Sequence, residues 1–407
     1  MTTTAPVVAR SVRIRSMAAL FAGVAAMNTV MVGASTAGSL IAAERAGAGF
    51  SGLPNAAGVL GTASGALIAA TLVSRRGSRF GLVTLYALAT GGGLVAFGGA
   101  VTGTLALLLA GMALLGLGNG AAQLSRYVAA ELYPEQRRAT GLSLIVLAGT
   151  VGALAGPALL APTSHLAGLL ALPELSGPVG LAVVVTAVAV LAAAALPRTA
   201  ATTPAGVRPA FSLADTGRAL RSRVVLTPLV AMVAAQVCMV AVMTMTPLQL
   251  HEHGHGLDGV GWVLGAHMIG MFALAPLSGR IADRWGGRAT IYAGIGTLAV
   301  ASATAIAAPT AHATGLPVAL FLLGYGWNLV FVGGSGLLSR DLPAAERTRL
   351  QGIVDALVWS ASAVASLGAG QLFGVGGFVL VTAVAGTLAL LPLALLVSRS
   401  RPARRSP

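Results

Sequence analysis

The sequence predicts an all-α membrane protein, with twelve transmembrane helices arranged as two pseudo-symmetric six-helix bundles. Three observations predict this fold class: a composition too apolar for water, charge-free stretches of bilayer length, and polar residues that repeat about 209 positions apart. Of the 407 residues, 56% are apolar, 54 are glycine and only 9% are charged. Because soluble chains carry about 25% charged residues, we expect most of this surface to face lipid.

The charge-free stretches divide into spans, since a helix needs about 20 apolar residues to cross the hydrocarbon core of a bilayer. The first six spans are predicted at 16–43, 46–74, two within 80–125 separated at Thr102-Gly103-Thr104, 139–161 and 177–196. The last six are predicted at 224–250, 259–281, two within 289–339 separated at 309–312, 350–373 and 377–397. The predicted domains are an N-terminal bundle at 1–196, a cytoplasmic connector at 197–223, a C-terminal bundle at 224–397 and an Arg-rich tail at 398–407.

The arginines fix the predicted orientation, because cytoplasmic loops retain basic residues during insertion. With the spans assigned above, 24 of the 25 basic residues fall on one face, and only Arg45 falls on the other. We therefore expect a multi-pass protein of the plasma (inner) membrane with both termini in the cytoplasm. The net charge of +14 then reflects the membrane topology. We expect these arginines to lie beside the lipid bilayer and expect no binding of nucleic acid.

The sequence lacks residues that several classes of enzyme and nucleotide-binding protein require. The sequence contains no lysine, so it has neither a P-loop lysine nor a Schiff-base amine, and its one cysteine cannot form an internal disulfide. We expect no cofactor and no enzymatic activity. The segment His251-Glu252-His253-Gly254-His255 does satisfy the H-E-x-x-H zinc pattern, which leaves a membrane-embedded metallo-hydrolase as a remote alternative. We expect a short solvated outer loop there instead, and no resident metal.

The two halves share more than their number of spans. Ser74-Arg75-Arg76-Gly77 after span 2 corresponds to Asp283-Arg284-Trp285-Gly286 after span 8 at an offset of 209. The same offset relates Asn119 in span 4 to Asn328 in span 10, and an offset of 208 relates Asn28 to Gln236. Because each half contains an even number of spans, the predicted repeat is parallel, with its axis along the membrane normal.

The segment from Gly279 to Arg288, GRIADRWGGR, resembles the loop signature of the major facilitator superfamily. The resemblance covers nearly the whole chain in span number, connector and duplicated halves, and it implies a transporter that works by alternating access around a central cavity. In span 5, Gly152, Gly156 and Pro157 resemble the G-x-x-x-G-P element of proton-coupled antiporters, which implies efflux. Uptake or facilitated diffusion in the same architecture is the alternative.

Polar side chains inside the spans are the candidate solute ligands, because each is costly in lipid without a partner or a wet cavity. The resemblance places spans 1, 4, 7 and 10 around the cavity, and an alternative role for the same amides is simply to bond neighbouring helices. The candidates are Asn28, Asn119, Gln123, Gln236, Tyr325, Trp327 and Asn328. Since no arginine lies deep in a span, we expect a neutral, zwitterionic or lipophilic cationic small molecule as the solute.

The candidate gating and coupling residues lie nearer the cytoplasmic face, with one exception. The resemblance implies a contact between the first-half signature and span 11, in which Asp355 would pair with Arg75 or Arg79, and the related contact would place Asp283 and Arg284 against span 5 and Arg138. The alternative for Asp355 is a wetted carboxylate at a helix start. His267 in span 8 is a candidate proton carrier or a packed histidine. Protons are the coupling ion that we consider. We expect the protein to be monomeric.

Overall fold

The computed structural model describes residues 10–133, 138–198, 220–311, 313–341 and 344–398. Within these ranges the regular structure is helical, with no β-strand. The chain divides into two compact units. Unit 1 comprises residues 1–46 and 53–206, and unit 2 comprises residues 47–52 and 207–407. Connector residues 199–219 and the tail beyond 398 lie outside the described residues.

Seven helices lie within the described residues of unit 1. They are α1 (Arg10–Ala46), α2 (Leu53–Arg76), α3 (Ser78–Thr102), α4 (Leu105–Glu131), α5 (Arg138–Ala158), α6 (Leu160–Leu169) and α7 (Ser176–Ala194). Helix α4 packs on α2 and α3, while α1 packs on α5 and α7. The predicted separation of spans 3 and 4 is confirmed, because Gly103 ends α3 in the left-handed region with φ of 70°.

Two predicted spans of unit 1 differ from the structure. Span 5 was expected to end at 161. In the structure α5 ends at Ala158, and a second helix, α6, starts at Leu160 and extends to Leu169. Span 2 was expected to start at 46, but α2 starts at Leu53 and a short 3-10 turn at Ala48–Phe50 precedes it. None of the residues from 46 to 52 is charged, and all except Phe50 are small, so hydropathy alone counts them with the helix.

The described residues of unit 2 include five long helical segments. They are α8 (Arg223–Glu252), α9 (Leu257–Phe272), α10 (Ala275–Ala307), α11 (Gly315–Asp341) and α12 (Ala344–Ser398). Helix α11 packs on α10, α9 and α8, and α12 packs along α8. Span 8 was predicted as one helix but is interrupted between α9 and α10. The reason is Pro276, which has no N–H to donate to the Phe272 carbonyl.

Ten helical segments of the described chain are long and apolar enough to cross a membrane. Two of them, with 51 and 41 residues, are long enough for two crossings each. The first contains non-helical Gly286 and the second contains non-helical Gly376 and Gly377. Dividing both segments at these glycines gives twelve crossings, in agreement with the number predicted from the sequence.

The 209-residue repeat is visible in the backbone. Gly77 has φ 85° and ψ 162° immediately before α3, and Gly286 has φ 83° and ψ 159° where the second half of α10 starts. Both lie in a region that residues with a Cβ rarely adopt, so both signature segments end in the same glycine-dependent turn. Close helix packing repeats too, because a Cβ on Gly61 would collide with the Ala113 carbonyl in α4, and one on Gly270 with the Phe321 carbonyl in α11.

The loop between α1 and α2 packs within unit 2. The Ser366 hydroxyl of α12 donates a hydrogen bond to the Gly52 carbonyl at 3.1 Å, and the Gln371 amide donates to the Gly49 carbonyl at 2.9 Å. A Cβ on Gly52 would collide with the Ser366 carbonyl. Residues 47–52 therefore lie flat against α12, which explains why this segment is not part of the predicted span.

Candidate functional site

A buried polar network joins three helices of unit 2. Gln236 of α8 is 1% exposed, and its Nε2 donates to the Ser362 Oγ of α12 at 2.7 Å. Its Oε1 accepts a hydrogen bond from the Trp327 Nε1 of α11, also at 2.7 Å. Because unsatisfied polar groups are costly in a membrane interior, this network specifies how the three helices meet.

The Trp327 ring is held on a second side by an aromatic contact. It stacks on Phe331, one turn along α11, with ring centroids 4.1 Å apart and an interplanar angle of 29°. Trp327, Phe331 and the nearby Tyr325 are all half-buried. Trp327 therefore combines a fixed orientation with residual accessible surface, which a lining residue of a solute site needs.

The two repeat-related asparagines make matching hydrogen bonds. Asn119 Nδ2 of α4 donates to Thr62 Oγ1 of α2 at 3.1 Å, and Asn328 Nδ2 of α11 donates to the Met271 carbonyl of α9 at 2.8 Å. Thr62 and Met271 are themselves 209 positions apart. In both asparagines the Oδ1 atom is buried and has no hydrogen-bond partner in the described part of the chain.

The second predicted pair of amides does not match in this way. Asn28 is half-buried and donates to the Val24 carbonyl of its own helix at 3.0 Å, whereas Gln236 bridges two other helices. Asn28 also lies against α5, where a Cβ on Gly152 would come within 2.9 Å of the Asn28 Cβ. Gln123 is half-buried in α4, one turn beyond Asn119.

The structure thus brings Gln236 and Trp327 into direct contact and places Asn328 one residue further along α11. Sequence reasoning missed Ser362, Thr62 and the Met271 carbonyl, which supply the partners of these amides. A hydroxyl in an apolar span is a weak signal by itself, since it usually bonds its own helix. Thr62 and Ser362 also do this, to the carbonyls of Gly58 at 2.9 Å and Val358 at 3.4 Å.

Of the predicted gating residues, Arg75 and Arg79 lie at the facing ends of α2 and α3, and Asp283 and Arg284 lie just before the break at Gly286 in α10. Arg75, Asp283 and Arg284 are exposed, Arg79 is half-buried, and the Arg284 guanidinium lies 5.7 Å from the Trp285 ring centroid. Asp355 is an exposed side chain in α12. The Arg138 side chain lies outside the described residues. The pairs of Asp355 with Arg75 or Arg79, and of Asp283 and Arg284 with span 5, remain predictions.

His267 is fully buried between α9 and α11. Its Nδ1 lies 2.9 Å from the Leu320 carbonyl, and its Nε2 has no hydrogen-bond partner among the described residues. Its own carbonyl packs so closely on α11 that a Cβ on Gly324 would collide with it. This environment is typical of a packed histidine, and a role in proton transfer remains a prediction.

The histidine-rich segment is not wholly a loop, in contrast to the sequence expectation. Helix α8 continues through His251 and Glu252, and the turn begins at His253, whose Nδ1 lies 2.8 Å from the Gln249 carbonyl. The helix ends there because Gly254 adopts a positive φ of 76°. Among the described residues, no group of three or more His, Cys, Asp or Glu side chains could hold a metal ion.

Comparison with known proteins agrees with this architecture. The profile of the Major Facilitator Superfamily matches residues 17–260 and 250–407. YdeG of Bacillus subtilis strain 168, described as an uncharacterized MFS-type transporter, is 33% identical over 382 residues, which cover 90% of this chain and 87% of YdeG. The riboflavin transporter RfnT of Brucella anthropi is 26% identical over 354 residues, covering 84% of this chain and 85% of RfnT.

Solved structures share the fold at low sequence identity. A D-xylose–proton symporter superposes with a TM-score of 0.69 at 17% identity, covering 97% of this chain and 98% of the symporter. A peptide transporter solved in complex with sulfate superposes with a TM-score of 0.67 at 16% identity, covering 94% of each chain. From the profile match and the 33% identical relative, we conclude that the chain belongs to the major facilitator superfamily.

Proposed function

We propose that this chain, a multi-pass membrane transporter of the major facilitator superfamily, exports a small neutral, zwitterionic or lipophilic cationic solute in exchange for protons. The family and its relatives are transporters rather than enzymes, so the metallo-hydrolase alternative is dropped. What supports the solute class is the chemistry of the polar side chains inside the spans. The candidate ligands are amides and aromatic rings rather than arginines, and the half-buried Arg126 of α4 lies three positions beyond Gln123 in the sequence.

The observation that carries the proposal is the matched pair of asparagines. Asn119 donates to α2 and Asn328 donates to α9, and the two acceptor residues occupy equivalent positions of the repeat. Each asparagine also keeps a buried Oδ1 without a hydrogen-bond partner among the described residues. A buried acceptor without a partner costs about 1–3 kcal/mol, so its occurrence at equivalent positions of both units favours a functional reason. A conformational change in the transport cycle that opens these positions to a solute or water donor supplies that reason.

Support for export comes from Gly152, Gly156 and Pro157 of α5, which resemble the G-x-x-x-G-P element of proton-coupled antiporters. A Cβ on Gly152 would collide with the Ala25 carbonyl, and one on Gly156 would lie 2.8 Å from the Val32 Cβ. These glycines therefore pack α5 closely on α1, and Pro157 is the last but one residue of α5. Uptake or facilitated diffusion is the alternative direction, and riboflavin, named for the Brucella relative, is the first solute to test.

The test begins with thermal stabilisation of the detergent-purified protein by neutral, zwitterionic and lipophilic cationic compounds, riboflavin included, at several pH values. Each stabilising compound is then followed in proteoliposomes under an inward or outward pH gradient. We expect solute movement opposite to the proton gradient. Movement in the direction of the gradient would establish symport, and movement that ignores it would establish a facilitator. An absence of flux for every stabilising compound would contradict transport.

A further inference from the structure

We propose that Gln236 and Ser362 fix the Trp327 indole as a stacking platform, and that the transported solutes carry a planar aromatic ring. The inference rests on the proposed transport function and deepens it, because it names a substrate class within the wider one above. It also changes the role of Gln236 from a candidate solute ligand to a positioning residue.

The geometry of Gln236 supports the change of role. Both ends of its amide are bonded inside the protein, Oε1 to the Trp327 indole and Nε2 to the Ser362 hydroxyl, each at 2.7 Å. With 1% of its surface exposed, Gln236 has no area to offer to a solute. Its contribution is to hold the indole edge of α11 at a fixed position against α8, while Ser362 of α12 fixes the other end of the amide.

The Trp327 indole can interact with a solute through its ring surface but not through its N–H. Its N–H is already donated to Gln236, and Phe331 stacks on it with ring centroids 4.1 Å apart. The ring is half-buried, so part of its apolar surface stays accessible. A ring without a free N–H binds partners through its π-face, by stacking on another aromatic ring or by attracting a cation.

Trp327 differs in this respect from the other three tryptophans. Trp262, Trp285 and Trp359 are 59%, 62% and 50% exposed, as expected for rings at the protein surface. Their exposure also makes them replaceable by phenylalanine. A protein with W262F, W285F and W359F retains Trp327 as its single tryptophan, so that intrinsic fluorescence reports on this ring alone.

The positioning part is tested without a solute, by the anisotropy of Trp327 emission in the single-tryptophan protein. We expect Gln236→Leu to lower the anisotropy, because the indole loses its acceptor, and Gln236→Glu to retain it, because an acceptor remains. Gln249→Leu, which removes a glutamine near the outer end of the same helix, is the matched control and should leave it unchanged. Equal anisotropy in all four proteins would overturn the positioning role.

The substrate class is tested by titrating the same protein with the neutral planar compounds lumichrome and lumiflavin, and with the neutral ring-free compounds sorbitol and diethylene glycol, so that attraction of a cation to the ring cannot be mistaken for stacking. We expect the planar compounds alone to quench Trp327, and Gln236→Leu to weaken their binding by about tenfold, a loss of about 1.4 kcal/mol. Quenching by neither planar compound, or equal binding of the ring-free compounds, would overturn the inference.

Failure of the inference and failure of the proposed function give different results. If solutes are transported but their flux does not change in Trp327→Leu relative to Trp359→Leu, the chain is a transporter and the platform is wrong. If no solute is transported by the unmodified protein, the transport function itself is wrong. Flux lost in Trp327→Leu and kept in Trp359→Leu would support both.

Discussion

The close approach of helices at Gly61 and Gly270 gives the sharpest test of the duplicated architecture. A Cβ on Gly61 would collide with the Ala113 carbonyl oxygen and lie 2.9 Å from its carbon. A Cβ on Gly270 would collide with the Phe321 carbonyl oxygen and also lie 2.9 Å from its carbon. In both places the obstacle is backbone, which cannot rotate away as a side chain can.

We expect Gly61→Ala and Gly270→Ala each to cost about 1–3 kcal/mol of packing energy, the range for overfilled cores. Alanine also gains about 1 kcal/mol over glycine from helix propensity, and matched controls remove that gain. Gly91→Ala in α3 and Gly296→Ala in α10 place a Cβ where no atom lies within 4 Å. Relative to these controls, the apparent Tm in detergent should fall by about 2–12 °C.

The assay is thermal unfolding of the four purified variants, followed by circular dichroism at 222 nm. We expect Gly61→Ala and Gly270→Ala each to melt at a lower temperature than its own control, with similar decreases in the two units. A Gly61→Ala protein as stable as Gly91→Ala would refute backbone contact between α2 and α4. A large effect in one unit with none in the other would refute equivalent packing in the two halves.

Three further predictions use single substitutions. Gly286→Ala forces a Cβ onto a backbone with φ 83°, so it should cost about 1–2 kcal/mol and lower the Tm below that of Gly279→Ala, whose added Cβ meets nothing within 4 Å. Gly52→Ala should release the 47–52 loop from Ser366 and speed its hydrogen exchange, and unchanged exchange would show that the loop contact is absent in solution. Asp355→Asn should slow transport in at least one direction if this carboxylate closes an inner gate, and unchanged rates in both directions would discard the gate.

The order and number of membrane crossings could be predicted because they depend on local properties. Hydropathy sets the length of each span, and glycine at Gly103 and Gly286 marks turns that need a positive φ. The repeat also survives in the sequence, since the equivalent glycines and asparagines are the same residue type. These features need no knowledge of which helices touch.

The partners of the polar side chains could not be predicted in the same way. Ser362 lies 126 residues from Gln236, and nothing in either local sequence indicates that α8 and α12 meet there. The break before α10 had a signal in Pro276, but span 8 is apolar on both sides of it, so hydropathy treats the segment as one helix. The start of α2 was missed because residues 47–52 pack on α12 rather than continue the helix.

Counterflow in proteoliposomes shows whether the solute site of this protein opens alternately to the two sides of the membrane. Vesicles loaded with an unlabelled solute that stabilises the protein are diluted into the same solute in labelled form, with no pH gradient and no energy source. A transporter that exposes its site alternately to the two sides must accumulate label transiently above its equilibrium level. We predict that overshoot, and its abolition by excess external unlabelled solute. Label that only approaches equilibrium, for every stabilising solute, would contradict alternating access.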